Sequence, residues 1–291
     1  MLTREELHEK IAGGVHFLDG ATGSNLRKAG MPNGVCTEQW VLEHPEVLVS
    51  LQRAYAEAGS QIIYAPTFQA QPMALAAVGL EKHTEVINAD LVALSRSAAP
   101  GCLIAGDLTT LAAYCESWNP DNFDLLVENY QRQIRGLMDG GCDILVAETL
   151  MYAQEAEAIL CAAEMEGAGA AMYSFTMMAD GSLFSGADAG PILKSLEEAG
   201  AAALGFNCVA MDMMTPYLVS KLRRYVKGPL LCKPNAGIPT INAQGVAEYS
   251  MNPEEFSKFA LQCKENGAAL MGGCCGTDPE FIRKVLEVVK Y

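Results

Sequence analysis

Along most of the chain, short and nearly continuous apolar runs alternate with longer amphipathic stretches. The runs are VHFLDGA (15–21), QIIYAPTF (61–68), CLIAGDL (102–108), DILVAETL (143–150), AAMYSFT (170–176), ALGFNC (203–208), PLLCKPN (229–235) and AALMGGCC (268–275). A strand solvated on one face would alternate apolar and polar residues. Continuous runs instead predict parallel strands covered on both faces. The intervening stretches PEVLVSLQRAYAEAGS (45–60), FDLLVENYQRQIRGLMDGG (123–141) and PEEFSKFALQCKENG (253–267) carry helical periodicity. They end in AG, GG or NG just before the next run, which are helix-stop signals.

Eight strands with helices between them predict an α/β fold, a single (β/α)8 TIM barrel over residues 1–291. The competing doubly wound sheet usually carries a glycine-rich phosphate loop after its first strand. Here that strand runs into DGATGSN, which lacks the GxGxxG pattern. No linker, low-complexity segment or charge run marks a domain boundary.

Composition narrows the function. The chain has 291 residues, half of them apolar, and a formal net charge of −15. That charge argues against nucleic acid as a partner, since nucleic acid selects basic surfaces. The polar N-terminus MLTREELHEKIAGG lacks the apolar core of a signal peptide, and no apolar run approaches the ~20 residues that span a bilayer. A cytoplasmic protein without membrane contact is expected. Ten cysteines occur, none in a CxxC pair, which predicts reduced thiols rather than a disulfide framework.

In a barrel of this kind the chemistry sits at the C-terminal ends of the strands. Those ends read Asp19, Thr67, Asp107, Glu148, Ser174, Cys208, Asn235, and Cys274 with Cys275. His8, His16, His44 and His83 lie outside or before the strand ends and are not expected in catalysis. Adjacent strand residues point to opposite faces, so Cys274 and Cys275 converge only if the backbone turns sharply between its glycine pairs. Only strand seven separates the strands that end in Cys208 and in Cys274 with Cys275. The three sulfurs can therefore approach one point, and three thiolates with an open fourth position suit a catalytic zinc. The bland alternative is a buried Cys208 beside an incidental cysteine pair, and spacing alone leaves both readings open.

GFNC (205–208) and GGCCGTDPEFI (272–282) resemble the zinc signature of the homocysteine S-methyltransferase family. LDGATGSNL (18–26), PTF (66–68), AETL (147–150), DGSLFSGAD (180–188) and KPNAGIP (233–239) resemble its other segments, so the likeness covers almost the whole chain. The KPNAGxP form is most similar to the homocysteine-binding module of cobalamin-dependent methionine synthase. The resemblance implies zinc on Cys208, Cys274 and Cys275, homocysteine bound to it as a thiolate, and methylation of that sulfur to give methionine. The metal's role would be to make a nucleophile from a thiol whose free pKa is about 8.5.

Glu148, with Asp19 second, is the expected anchor for the acceptor's ammonium. The turn Ala21, Thr22, Gly23, Ser24 offers backbone N–H groups to its carboxylate. The Asn235 carbonyl oxygen is a candidate fourth ligand in the absence of thiol, or simply a turn residue within PNAG. The chain departs from the family near the mouth, in APTF (65–68), in GDLTTLAAY (106–114) and at Ser182. Those departures bear on the methyl donor. Eight strand–helix units fill the given sequence, so the expected donor is a methylcobalamin-type corrinoid on a separate protein. S-methylmethionine or betaine, entering directly, is the alternative. A non-catalytic zinc or thiol-binding protein, or a redox sensor using Cys274 and Cys275, would leave Glu148 and Asp19 without a purpose at the mouth.

Overall fold

Every one of the eight apolar runs becomes a parallel strand in the computed structural model, which describes residues 1–242 and 247–290. The barrel strands are β1 (His16–Phe17), β2 (Ile62–Tyr64), β3 (Leu103–Thr109), β4 (Ile144–Leu150), β5 (Ala171–Phe175), β6 (Ala203–Ala210), β7 (Leu230–Asn235) and β10 (Leu270–Met271). They follow the order β1-β10-β7-β6-β5-β4-β3-β2. A parallel bridge between Leu18 and Ile62 joins the two ends, so the sheet closes into a (β/α)8 barrel with helices outside.

β1, β2 and β10 are shorter than the runs that announced them. Regular pairing stops where Gly20, Pro66 and Gly272 enter, although Leu18 N–H still donates to Met271 O and Gly273 N–H to Asp19 O. A Cβ on Gly272 would lie 2.6 Å from the Asp19 carbonyl oxygen. Only glycine allows the two chain segments to approach this closely.

The remaining strands, β8 (Pro239–Ile241) and β9 (Ala247–Tyr249), form an antiparallel hairpin after β7 that the apolar pattern did not announce. Five of their six residues are exposed, and Thr240 and Glu248 interrupt the apolar ones, so no apolar run marks them.

The barrel interior is built from alternate strand positions. Leu18, Ile62, Ala105, Ile144, Val146, Met172, Leu231 and Leu270 pack together, and Leu7 and Ile11 join them from the first helix. That helix, Arg4–Lys10, begins with a capping box between Thr3 and Glu6. It is tied to the N-terminal end of the strands by Leu2 N–H to Asp143 O and Ala170 N–H to Leu2 O. His8 bonds the Ala202 carbonyl there, a structural role at the end opposite the candidate chemistry. A larger apolar layer lies between strands and outer helices. Among the described residues no helix is long and apolar enough to cross a membrane.

Candidate functional site

The same alternation that builds the interior places polar residues above it. Continuing from Ile62, Ala105, Val146, Met172 and Leu231 by two positions gives Tyr64, Asp107, Glu148, Ser174 and Lys233, all buried. Asn207, within β6, joins this layer. Its Oδ1 accepts from Ser174 Oγ at 2.9 Å and from Thr149 N–H at 2.7 Å. Its Nδ2 donates to Thr149 Oγ1 at 2.7 Å and lies 3.3 Å from Glu148 Oε2 and 3.9 Å from Cys274 Sγ.

Two backbone irregularities aim this layer. The β4–β5 register shifts between Ala147 and Leu150, and the β6–β7 register shifts between Asn207 and Ala210. Among the described residues, Thr149 (φ 59°) and Cys208 (φ 56°) are the non-glycine residues in the left-handed region, and each sits in one of these shifts. Such a conformation costs ~1–3 kcal/mol and persists where the surroundings enforce it. It turns Cys208 out of the strand plane.

Cys274 and Cys275 are also outside regular strand geometry. Cys274 N–H donates to Pro234 O at 2.7 Å, and Ala236 N–H donates to Cys275 O at 2.9 Å. The Thr277 hydroxyl donates to Cys274 O at 2.7 Å. Gly276 follows at φ +83°, against the Tyr249 ring, where a side chain would collide. This turn lets neighbouring cysteines face one point. The sulfurs of Cys208, Cys274 and Cys275 all lie within 4.8 Å of one another, with Cys274 and Cys275 4.0 Å apart. All ten cysteines are free. Tetrahedral ligation with Zn–S of about 2.3 Å sets sulfur–sulfur separations near ~3.8 Å, so this all-sulfur donor set fits zinc.

As free thiols the three share charge. Hydrogen bonds from Cys208 and then Cys274 pull the Cys275 thiol down to about 3. Hydrogen bonds to Cys274 and Cys275, together with burial, push Cys208 up. For Cys274, the bond from Cys208 lowers the pKa, but the bond to Cys275 and burial outweigh it and bring it to about 11. The Tyr249 hydroxyl from the unforeseen hairpin also hydrogen-bonds Cys275.

Beneath the sulfurs, Asp19 and Glu148 flank Lys233. Nζ lies 3.4 Å from Asp19 Oδ1 and 3.6 Å from Glu148 Oε2, and 4.5 Å from the centroid of the Tyr64 ring. Burial pushes Asp19 up to about 6, against the pull of Lys233 and of the Tyr64 N–H. Glu148 rises to about 7, by burial first, with Lys233 opposing. Burial alone would lower Lys233, but Glu148 and then Asp19 outweigh it and hold the ammonium charged.

The turn at 21–24 is divided. Ala21 N–H is already bonded to Thr277 Oγ1 at 3.2 Å, so it is not free for a ligand. Thr22, Gly23 and Ser24 open the short helix Gly23–Lys28, and no hydrogen bond from their N–H groups occurs within the described residues. Asn235 Oδ1 is buried and without a hydrogen-bond partner there.

Lys233, Asn207, Thr149 and Tyr249 were not singled out from the sequence. A signal existed for the first: a lysine inside the apolar run PLLCKPN needs a buried counter-charge.

The sequence matches the family model described as homocysteine S-methyltransferase over residues 16–289. Methionine synthase of Mycobacterium leprae is 27% identical over 308 aligned residues, covering 98% of this chain and 25% of that protein. Methionine synthase of Mycobacterium tuberculosis is 27% identical over 295, covering 93% and 24%. The chain thus spans about a quarter of the length of these relatives. Among solved structures, the metallated form of the homocysteine methyltransferase MmuM from Escherichia coli superposes with a TM-score of 0.80 at 26% identity, covering 94% of this chain and 96% of that one. Its oxidized form gives 0.82 at 25% identity, covering 97% and 98%.

Proposed function

The chain belongs to the homocysteine S-methyltransferase family, and from that premise we propose that it methylates the sulfur of homocysteine to give methionine, with zinc held by Cys208, Cys274 and Cys275. The observation that carries this reading is the convergence of three sulfurs over a buried layer of paired charge. Zinc bound there supplies the Lewis acidity that brings a thiol pKa of about 8.5 into the neutral range.

The rest is done by the chain. Glu148 and Asp19 face the place of the acceptor's ammonium, and the N–H groups of Thr22, Gly23 and Ser24 are available for its carboxylate. Asn207 ties Glu148 and Thr149 to the sulfur cluster, which fixes the acceptor end relative to the metal end. The unpartnered Asn235 Oδ1 is the candidate fourth donor when no thiol is present.

For the donor we favour a methyl-corrinoid carried by a separate protein. Trp118, Phe184, Met213, Tyr217, Ile238 and Ile241 are exposed on segments that follow the C-terminal ends of barrel strands. Exposed apolar side chains concentrated around a mouth suit a large partner surface. A small sulfonium or ammonium donor would need an aromatic cage. Tyr64 is already covered by Lys233 and Trp40 stacks on His44, while the Trp118 and Tyr152 rings lie 5.2 Å apart.

A donor screen with zinc-loaded protein and homocysteine tests the reading. Methylcobalamin as surrogate should give slow methionine formation, and S-methylmethionine or betaine no faster. Rapid turnover with either small molecule would reverse the donor assignment. Calorimetry in buffers of different ionisation enthalpy should show close to one proton released on homocysteine binding, and no buffer dependence would mean that the thiol does not ionise at this site.

A further inference from the structure

Lys233 leaves β7 and reaches across the barrel. Its Nζ lies between Asp19, beyond the end of β1, and Glu148 on β4, yet β7 itself pairs with β6 and β10. The lysine side chain is 4% exposed and that of Asp19 1%. A cation therefore already occupies the space between the two carboxylates that an acceptor's ammonium would use. One lysine offsets one of the two carboxylate charges and leaves the pair unsaturated. Asp19 Oδ1 has no hydrogen-bond partner among the described residues, and both Nζ contacts are longer than close hydrogen bonds.

Resting on the methyl-acceptor reading above, we propose that Lys233 is a specificity-determining residue: a resident cation that competes with the acceptor's ammonium for Asp19 and Glu148, so that the site also admits thiol carboxylates lacking the amino group. Two ammonium groups sharing one carboxylate pair repel one another in an interior where charges are poorly screened. The attraction left for the incoming ammonium is correspondingly reduced. The thiol and carboxylate ends of the acceptor do not depend on this pair, so their contribution stands.

The test compares homocysteine with 4-mercaptobutanoate, the same molecule without its amino group, by calorimetric titration of zinc-loaded protein. A charge-assisted hydrogen bond to an ammonium ordinarily contributes a factor of ten or more. The wild-type dissociation constants should differ by less than ten-fold. Lys233→Met should raise the ratio in favour of homocysteine, and Lys233→Gln, which retains a polar group beside the carboxylates, gives the same comparison if the Met variant does not fold. General loosening of the site would weaken both thiols alike and leave the ratio unmoved. A wild-type ratio above ten-fold, or a ratio unchanged or lowered in the variants, overturns the proposal while homocysteine binding preserves the function. If neither thiol binds the wild-type protein, the acceptor reading itself fails and the role of Lys233 falls with it.

Discussion

At the N-terminal end of the barrel interior, Leu7 and Ile11 close over Ile144, Met172, Leu231 and Leu270. Two or four residues further along the same chain segments stand Glu148, Ser174, Lys233 and Cys274, all buried. The lower end consists of apolar side chains in regular strands. The upper end holds two carboxylates, a lysine, a sulfur cluster and two residues in left-handed backbone. Each fully buried leucine or isoleucine below contributes about 1.5–3 kcal/mol to the fold. Buried charges above contribute little net stability even when paired. One end therefore carries stability, and the other spends part of it to hold reactive groups in place.

Separating those roles gives the largest expected effect. Replacing Cys208, Cys274 or Cys275 by Ala should abolish methyl transfer and most zinc binding, with the barrel still folded because its apolar end is untouched. Cys102→Ala and Cys142→Ala should keep the metal, since both thiols lie in the apolar layer away from the cluster. Metal analysis with circular dichroism reads both outcomes. Stoichiometric zinc in the triple cysteine variant would break the division between the ends.

The converse change belongs to the lower end. Leu231→Ala removes a fully buried side chain from the closed apolar layer. It should cost on the order of 2–5 kcal/mol in denaturant unfolding and leave zinc content per folded chain unchanged. Lost zinc with unchanged stability would mean that the lower layer positions the sulfurs directly.

How each end could be read from sequence follows the same line. Continuous apolar runs arise because barrel strands are covered on both faces, so eight strands and their order were legible. Cys208, Cys274 and Cys275 could be grouped because a barrel gathers its strand ends at one mouth. Spacing left the group and an incidental cysteine pair both open, and the resemblance to the family's zinc signature decided between them. Lys233 was not connected to Asp19 and Glu148, because periodicity along one strand does not say which residues face it across the axis. The hairpin that brings Tyr249 to Cys275 has no apolar run to announce it. The positive φ of Thr149 was equally hidden, since a β-branched residue is a poor candidate for that conformation.

Asp107 gives a smaller, pH-dependent difference between the ends. Burial, and then repulsion from Glu148, raise its pKa well above the ordinary 3.8. In that window the folded chain binds a proton that the unfolded chain has released, so stability falls as pH rises from about 3.8 toward the raised folded value. Asp107→Asn removes this loss. Denaturant midpoints at pH 5 and pH 8 should therefore favour the variant more at pH 8. An equal difference at both values would mean that Asp107 is ionised in the folded protein.

The smallest expected effect is at Thr149, where strain and hydrogen bonding oppose one another. Glycine adopts φ 59° freely, so Thr149→Gly relieves ~1–3 kcal/mol of backbone strain. The same change removes the Oγ1 that accepts from Asn207 Nδ2 at 2.7 Å, worth about 1 kcal/mol. It also frees the unfolded chain, at a cost of ~0.5–1 kcal/mol. The terms nearly cancel, and stability should stay within about 1 kcal/mol of wild type. Asn207 meanwhile loses its shortest side-chain acceptor beside Cys274, so zinc affinity measured by chelator competition should fall. A loss of several kcal/mol with unchanged zinc affinity would assign the strained turn to the fold, and the boundary between the stable and the reactive end would then lie above β4.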